Sequence, residues 1–83
     1  MPADAVDTVV RLIAIELEMP EDRVRSATSL RGELGMDSIA AANVLFAIEE
    51  ELGVELVLED VEHLDDVAEI ARVVRRARPT TGS

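Results

Sequence analysis

The sequence predicts an all-α fold, a small four-helix bundle with three long helices, one short helix and a long loop between helices one and two. A chain of 83 residues can form a single hydrophobic core but not separate substrate and cofactor lobes. The apolar residues are aliphatic apart from Phe46, which favours a core of interlocked aliphatic helices. Apolar residues also recur every three or four positions in the longest segments, which is the period of an amphipathic helix.

Helix one is predicted from about Ala3 to Glu18. The spacings of four, three and four residues between its apolar positions place them on one face of a helix. These positions are Val6, Val10, Ile13 and Leu17. Pro20 restricts the backbone of the residue before it, so the helix is expected to stop there.

The helical pattern fades over Glu21–Asp37. We expect a long ordered loop here, with one helical turn near Glu21–Val24. Its anchors in the core are predicted to be Val24, Leu30 and Leu34. A loop of this length without strands is uncommon in a compact domain and is more often functional than not.

Helix two is predicted over residues 38 to 52, because Asp37 and Ser38 are good helix starters and Gly53 can end the helix. A short third helix is expected around Glu59–His63.

Asp65 is expected to cap a fourth helix, whose C-terminal end holds several arginines that suit the helix dipole. The apolar positions of this helix are Leu64, Val67, Ile70, Ala71 and Val74. Residues 1–78 are predicted to form one domain, and residues 79–83 a flexible tail.

The charge of the chain indicates which partners it can have. The formal net charge is -10, which argues against nucleic acid and favours a positively charged protein partner. Residues 49–69 hold ten acidic residues and no arginine, so they predict an acidic surface. The alternative is a solvated face that only keeps the protein soluble.

The composition also bears on where the protein acts. The chain has no cysteine, and no apolar run approaches the roughly 20 residues that span a bilayer. Asp4 and Asp7 do not suit the basic first segment of a signal peptide. We therefore expect a cytoplasmic protein that does not enter a membrane.

Side chains for catalysis are scarce. The chain has one histidine and no cysteine, lysine or tyrosine, so a nucleophile and its base are hard to assemble. His63 lies on a different element from Ser38, and it is expected to be a surface or half-buried residue. Glu49, Glu50 and Glu51 point in different directions on a helix and do not make a metal site.

The segment Leu34-Gly35-Met36-Asp37-Ser38-Ile39 is a glycine turn that delivers an Asp-Ser pair to the first turn of a helix. A serine there is exposed by its position. The free N–H groups and the dipole of the helix end would favour an anion on its hydroxyl, such as a phosphodiester. The alternative is that Asp37 or Ser38 is an ordinary N-cap worth about 1 kcal/mol, and these six residues alone favour the cap.

The phase of helix two supports a surface role. At about 100° per residue, one side of the helix collects the core positions Ala41, Val44, Leu45, Ile48 and Leu52. The opposite side carries Ile39, Asn43, Phe46 and Glu50. An exposed apolar pair rimmed by carboxylates is typical of a docking surface. The alternative is that the Glu21–Asp37 loop folds over this side and buries Phe46.

With these features the sequence resembles the acyl carrier protein family over nearly its whole length. The resemblance rests on the amphipathic first helix, the long loop, the Leu-Gly-x-Asp-Ser-Ile motif and the acidic helix that ends in Glu-Glu-Glu-Leu-Gly. It continues through residues 54–56 and the Leu-Asp-Asp-Val sequence at residues 64–67.

The resemblance implies that Ser38, with Asp37 beside it, accepts 4′-phosphopantetheine from coenzyme A through a phosphopantetheinyl transferase. The thiol of this arm would hold an acyl group as a thioester, and the protein would have no catalytic activity of its own. Helix two would bind basic docking patches on the transferase and on acyltransferase, ketosynthase or acyl- or aminoacyl-loading enzymes. Its partner-binding residues would be Asp37, Ile39, Asn43, Phe46, Glu49 and Glu50.

Two departures from the family pattern bear on the pathway. Ala40 and Asn43 stand where fatty-acid carriers usually have acids, which moves the docking charge toward residues 49–51. Met36 differs from the Gly-Gly-x-Ser pattern of peptidyl carriers. We therefore expect a discrete, monomeric carrier of polyketide biosynthesis that acts in trans. The alternatives are a peptidyl or aminoacyl carrier of nonribosomal type and a non-catalytic helical adaptor without an arm.

Overall fold

The structure, a computed structural model, describes residues 5–61 and 63–79. It confirms an all-α bundle in which α1, α4 and α6 are the long helices and a two-stranded ladder closes one end. The elements in chain order are α1 Ala5–Leu17, α2 Glu21–Ser26, α3 Leu30–Leu34, α4 Ser38–Leu52, β1 Val54–Glu55, α5 Leu58–Val61, α6 Val67–Arg76 and β2 Arg78–Pro79. Within the described ranges, none of the helices combines the length and apolarity needed to cross a bilayer.

A backbone hydrogen-bond motif, and not Pro20 alone, ends α1. Glu18 has a left-handed backbone with φ of 56°. Its N–H donates to the carbonyl of Ile15 at 3.3 Å, and the N–H of Met19 donates to the carbonyl of Ala14 at 3.0 Å. This pair of bonds is the Schellman arrangement that satisfies the last carbonyls of a helix. The predicted start at Ala3 lies outside the described residues.

Between helices one and two, the predicted helical turn near Glu21–Val24 is confirmed as α2, but the rest of the segment is not the long loop that was predicted, because it includes a second short helix, α3. The Ser29 side chain caps α3 by accepting from the Gly32 N–H at 2.9 Å. Gly35, with φ of 73°, ends it in the left-handed region. The predicted anchors are confirmed as buried residues: Val24, Leu30 and Leu34. Helical turns bring these three side chains to the core while satisfying the intervening backbone.

Asp65 does not cap the last helix, contrary to the prediction. Its carboxylate accepts hydrogen bonds from the Ser29 hydroxyl and, at 2.7 Å, from the Arg31 N–H. Its own carbonyl accepts from the Leu30 N–H at 2.9 Å. The Ser29 hydrogen bond, followed by that from Arg31, lowers the pKa of Asp65 below the ordinary 3.8. Asp65 therefore ties the start of α3 to the segment before α6.

The cap of α6 is Asp66, whose carboxylate accepts from the Ala68 N–H at 2.7 Å. The short helix α5 begins one residue before the predicted Glu59–His63 and ends at Val61. His63 is exposed, which confirms the prediction of a surface or half-buried residue.

The two strands extend the ordered chain past the predicted domain boundary. β1 and β2 are antiparallel, with Val54 opposite Pro79 and Glu55 opposite Arg78. Pro79, which the sequence assigned to the tail, is therefore part of the fold. The remaining tail residues, 80–83, lie outside the described residues.

The core lies where α1 packs against α4 and α6. Of the five predicted core positions of α4, Ala41, Val44, Leu45 and Ile48 are buried and Leu52 is half-buried. Met36 is also buried, which the sequence did not predict. Arg11 of α1 forms a salt bridge with Glu51 of α4, while the Asn43 amide donates to the Glu16 carboxylate at 2.9 Å. These two pairs show that α1 and α4 run antiparallel.

Candidate functional site

The segment before α4 fixes how the Asp-Ser pair is presented. After the left-handed turn at Gly35, Met36 inserts into the core with 3 % of its surface exposed. Its N–H donates to the carbonyl of Leu30 at 3.0 Å. Met36 is buried, whereas Asp37, which has an extended backbone, and Ser38 lie at the surface, where both are exposed.

The cap of α4 is Asp37 and not Ser38. The Asp37 carboxylate accepts from the Ala40 N–H at 2.8 Å, and its carbonyl accepts from the Ala41 N–H at 2.9 Å. Ser38 is the first helical residue, and its hydroxyl makes no hydrogen bond within the described part of the chain. The hydroxyl is therefore available for chemistry, because its neighbour performs the structural role.

The electrostatics at this helix end suit an anionic group on Ser38. Asp37 satisfies the N–H of Ala40, whereas the N–H groups of Ser38 and Ile39 are unbonded among the described residues. These free donors and the positive end of the α4 dipole stabilise negative charge. A phosphodiester on Ser38 Oγ therefore fits the residues that are present.

The outer face of α4 is exposed, as the helix phase predicts. Ile39 is 73 % exposed and Phe46 is 62 % exposed. Asn43 and Glu50 are exposed on the same face. The alternative in which the preceding segment covers Phe46 is wrong, because the apolar anchors of α2 and α3 turn toward the core instead.

The acidic residues at the end of α4 differ in what holds them. Glu49 is half-buried and its carboxylate accepts from the Leu56 N–H at 2.9 Å, so it supports the chain after α4. Glu51 is paired with Arg11. Glu50 is exposed and has no partner among the described residues. Of these three predicted acids, Glu50 has the charge that is free to meet a partner.

The other candidate residues that the sequence suggested make no hydrogen bond to Ser38 in the described part of the chain. The His63 ring Nδ1 lies 3.1 Å from the carbonyl oxygen of Glu59, within its own segment. Over residues 5–61 and 63–79, no group of three or more His, Cys, Asp or Glu side chains is arranged to hold a metal ion. The described part of the site thus consists of a free hydroxyl, two free backbone donors and an exposed helix face.

The core behind α4 is closely packed. It leaves a partly open cavity of about 10 Å³, roughly the space of one water-sized sphere. The lining residues are Met36, Ala41, Val44, Leu45, Ile48, Leu56, Val61 and Ile70. In this conformation the cavity is too small to hold an acyl chain.

Comparison with known proteins agrees with this arrangement. The family model described as "Phosphopantetheine attachment site" matches residues 7–74. "Acyl carrier protein 2" of Pseudomonas aeruginosa is 30 % identical over 78 residues, covering 93 % of this chain and 99 % of the relative. An "Acyl carrier protein" of Treponema denticola is 29 % identical over 72 residues, covering 87 % of this chain and 92 % of the relative.

The family model covers most of the chain and describes a phosphopantetheine attachment site, which places this helical bundle in the class of phosphopantetheine-bearing carriers. The matches show the family: the chain belongs to the acyl carrier proteins. Family membership implies a covalently attached 4′-phosphopantetheine group. Members of this family interact with a phosphopantetheinyl transferase and with acyl-handling enzymes, and they act as carriers rather than catalysts.

Proposed function

We propose that Ser38 is the attachment residue and that the loaded protein carries acyl or aminoacyl intermediates for polyketide biosynthesis. The observation that carries the assignment is the free, exposed hydroxyl of Ser38 beside a residue that already caps the helix. In the attachment step, Ser38 Oγ forms a bond to the β-phosphorus of coenzyme A, the pyrophosphate linkage breaks, and adenosine 3′,5′-bisphosphate leaves. The hydroxyl proton passes to the solvent or to the transferase.

The arm would supply a thiol, on which an acyl group is held as a thioester, to a chain that has no cysteine. Ser38 holds the arm at the tip of α4. Since the core cavity is so small, the cargo would remain outside the bundle in this conformation and accessible to partner enzymes.

Partner enzymes would dock on the outer face of α4. Ile39 and Phe46 offer apolar contact, Asn43 lies between them, and Glu50 offers a free negative charge. The matching partner surface is an apolar pocket rimmed by arginine or lysine, on a transferase, an acyltransferase, a ketosynthase or a loading enzyme. Charge complementarity would speed the encounter, and the small apolar area would let the carrier leave.

The polyketide assignment rests on what α4 lacks. Ala40 is buried, at 8 % exposure, so the first turn of α4 has no room for a docking acid at that position. Asn43 stands where fatty-acid carriers usually have an acid, and its amide is already bonded to Glu16. A peptidyl or aminoacyl carrier would share these features and is the second candidate. The expected compartment is the cytoplasm.

Incubation with coenzyme A, magnesium and a purified broad-range phosphopantetheinyl transferase tests the attachment site. Intact mass should show one added arm on the wild type and none on Ser38→Ala. Ser26→Ala is the matched control, because Ser26 is an exposed serine on α2 whose hydroxyl makes only one long bond, of 3.4 Å. The proposal fails if the wild type stays unmodified, or if Ser38→Ala is modified as fully as Ser26→Ala.

The same variants separate a carrier from an adaptor that uses the exposed α4 face without an arm. A carrier loses all pathway activity with Ser38→Ala, since no thioester can form. An adaptor would keep its activity with Ser38→Ala and lose it with Phe46→Ala. Mass analysis of the protein from its native producer then identifies the cargo, because a polyketide intermediate and an aminoacyl group differ in mass.

A further inference from the structure

We propose that the C-terminal end of α1 is a second contact surface for the phosphopantetheinyl transferase, centred on Ile15 and Glu18. This inference rests on the proposed function of Ser38 and goes beyond it by adding a surface outside α4. The α1-end surface comprises Ala14, Ile15, Glu18, Met19 and Pro20, which line one shallow groove.

The packing of α1 places this surface at the end of the molecule that carries Ser38. The helices are antiparallel, and Glu16 is bonded to Asn43, five residues into α4. Five residues of helix correspond to roughly 7 to 8 Å along the axis. An enzyme that reaches Ser38 Oγ must therefore come close to the end of α1 as well.

Ile15 is 63 % exposed, although the buried face of α1 is closely packed. A single exposed aliphatic residue is ordinary on a protein surface and is not by itself a sign of binding. Here, however, it lies four residues after Arg11, on the same face of α1, and Arg11 is paired with the exposed Glu51 of α4. The exposed surface of α4 therefore continues onto this face of α1.

Glu18 supplies the second, independent observation. It occupies the left-handed position of the Schellman motif, with φ of 56°, where glycine is the favoured residue. The chain keeps a carboxylate here despite the unfavourable backbone, and strained residues of this kind cluster at functional sites. Glu18 has no cationic partner among the described residues, because Arg11, which also lines the groove, is paired with Glu51.

The size of a protein interface makes a contact beyond α4 necessary. A specific interface of standard size covers about 800 Å² on each partner, whereas one helix is only about 10 Å wide. A transferase seated over Ser38 and Ile39 must extend over a neighbouring element. The α1-end surface offers it an aliphatic side chain next to an unneutralised carboxylate, so the complementary patch is an apolar side chain flanked by arginine or lysine.

Two variants test the surface because they separate docking from stability. Glu18→Gly removes the carboxylate and relieves the strain of the left-handed backbone, so Tm should rise by roughly 4 °C. In arm transfer by the purified broad-range transferase at saturating coenzyme A, the KM for the Glu18→Gly protein as the acceptor substrate should rise about three- to tenfold, with kcat little changed. Ile15→Ala should raise KM to a similar extent, since it deletes exposed apolar contact without opening the core.

The matched control is Glu69→Gln, which removes one exposed carboxylate from α6. It should leave KM close to that of the wild type. A more stable protein that is a poorer substrate is a result that a purely structural role for Glu18 cannot produce.

Failure of this inference is distinct from failure of the proposed function. If the wild type accepts no arm, the assignment of Ser38 falls. If the wild type is modified and both α1 variants keep its KM, or if Glu69→Gln raises KM as much as Glu18→Gly, the α1-end surface is refuted. Val57 is 54 % exposed, precedes α5 and lies outside this surface. The α1-end surface is also refuted if Val57→Ala raises KM while Ile15→Ala does not.

Discussion

Replacing Asp37 by alanine tests whether the cap of α4 and the function of Ser38 are carried by separate side chains. Asp37→Ala removes the carboxylate that accepts from the Ala40 N–H and leaves the backbone bond to Ala41 intact. Asp37→Asn keeps an acceptor at the same place and removes the charge. The pair of variants therefore isolates the hydrogen bond from the electrostatic effect.

The expected magnitude follows from one lost hydrogen bond at a shielded site. Loss of an N-cap costs about 0.5 to 2 kcal/mol. Ala40 is only 8 % exposed, so water replaces the carboxylate poorly and the upper part of this range applies. We expect Asp37→Ala to lower the free energy of unfolding by about 1.5 kcal/mol and Tm by roughly 6 to 12 °C. Asp37→Asn loses only the favourable charge at the helix dipole, about 0.5 kcal/mol.

Urea denaturation followed by circular dichroism measures both variants against the wild type. Equal stabilities of Asp37→Ala and the wild type would refute the assignment of Asp37 as the cap. Equal losses in Asp37→Ala and Asp37→Asn would show that charge, rather than the hydrogen bond, holds the start of α4. Both variants should still accept the arm at Ser38, since the hydroxyl takes no part in the cap.

The remaining predictions concern three acidic residues: Asp65 and Glu49, which hydrogen bonds hold in place, and Glu50, which has no partner among the described residues. The lowered pKa of Asp65 means that its network stabilises the fold above the ordinary pKa of 3.8 and loses that contribution as pH falls through the lowered pKa. Ser29→Ala, which removes the largest cause, should move acid unfolding to higher pH in a circular dichroism titration; an unchanged midpoint would contradict this. Glu49→Arg should lower the free energy of unfolding by about 1 to 2 kcal/mol, because the Leu56 N–H loses its acceptor. Glu50→Arg should leave stability unchanged but weaken transferase docking at low salt more than at high salt; a salt-independent loss would argue against the electrostatic explanation.

The long helices and their buried faces could be predicted because they follow a simple period. Apolar spacing of three and four residues locates α1 and α6, and a run of helix formers bounded by Asp37 and Gly53 locates α4. The same period places Phe46 on the outer face, where it is 62 % exposed. Because a helix that packs on one side places its apolar residues there, the sequence shows which side faces the core.

Short elements and side-chain partners could not be predicted in this way. Asp65 and Asp66 are adjacent and chemically identical, so no local rule tells which one caps α6 and which one bonds to α3. The choice is made by Ser29, which is 36 residues away in sequence from Asp65. Glu49 and Glu50 are likewise adjacent and identical in sequence terms. They differ only because the chain after α4 folds back and the Leu56 N–H donates to Glu49. An apolar residue between Gly35 and Asp37 was a usable sign that Met36 is buried.

The division of α4 into two faces explains how docking can change without loss of the fold. Its inner face and both of its ends are fixed, by the buried aliphatic residues, by the Asp37 cap and by the bond from Leu56 to Glu49. Ile39 and Phe46 on the outer face are largely exposed, so their substitution opens no cavity. Substitution of Ile39 or Phe46 should leave stability unchanged, whereas substitution of Glu18 by glycine should raise it, because the Glu18 backbone is strained at a position that favours glycine. A residue whose replacement should stabilise the protein is better explained by binding than by folding, which is why it distinguishes the two roles most sharply.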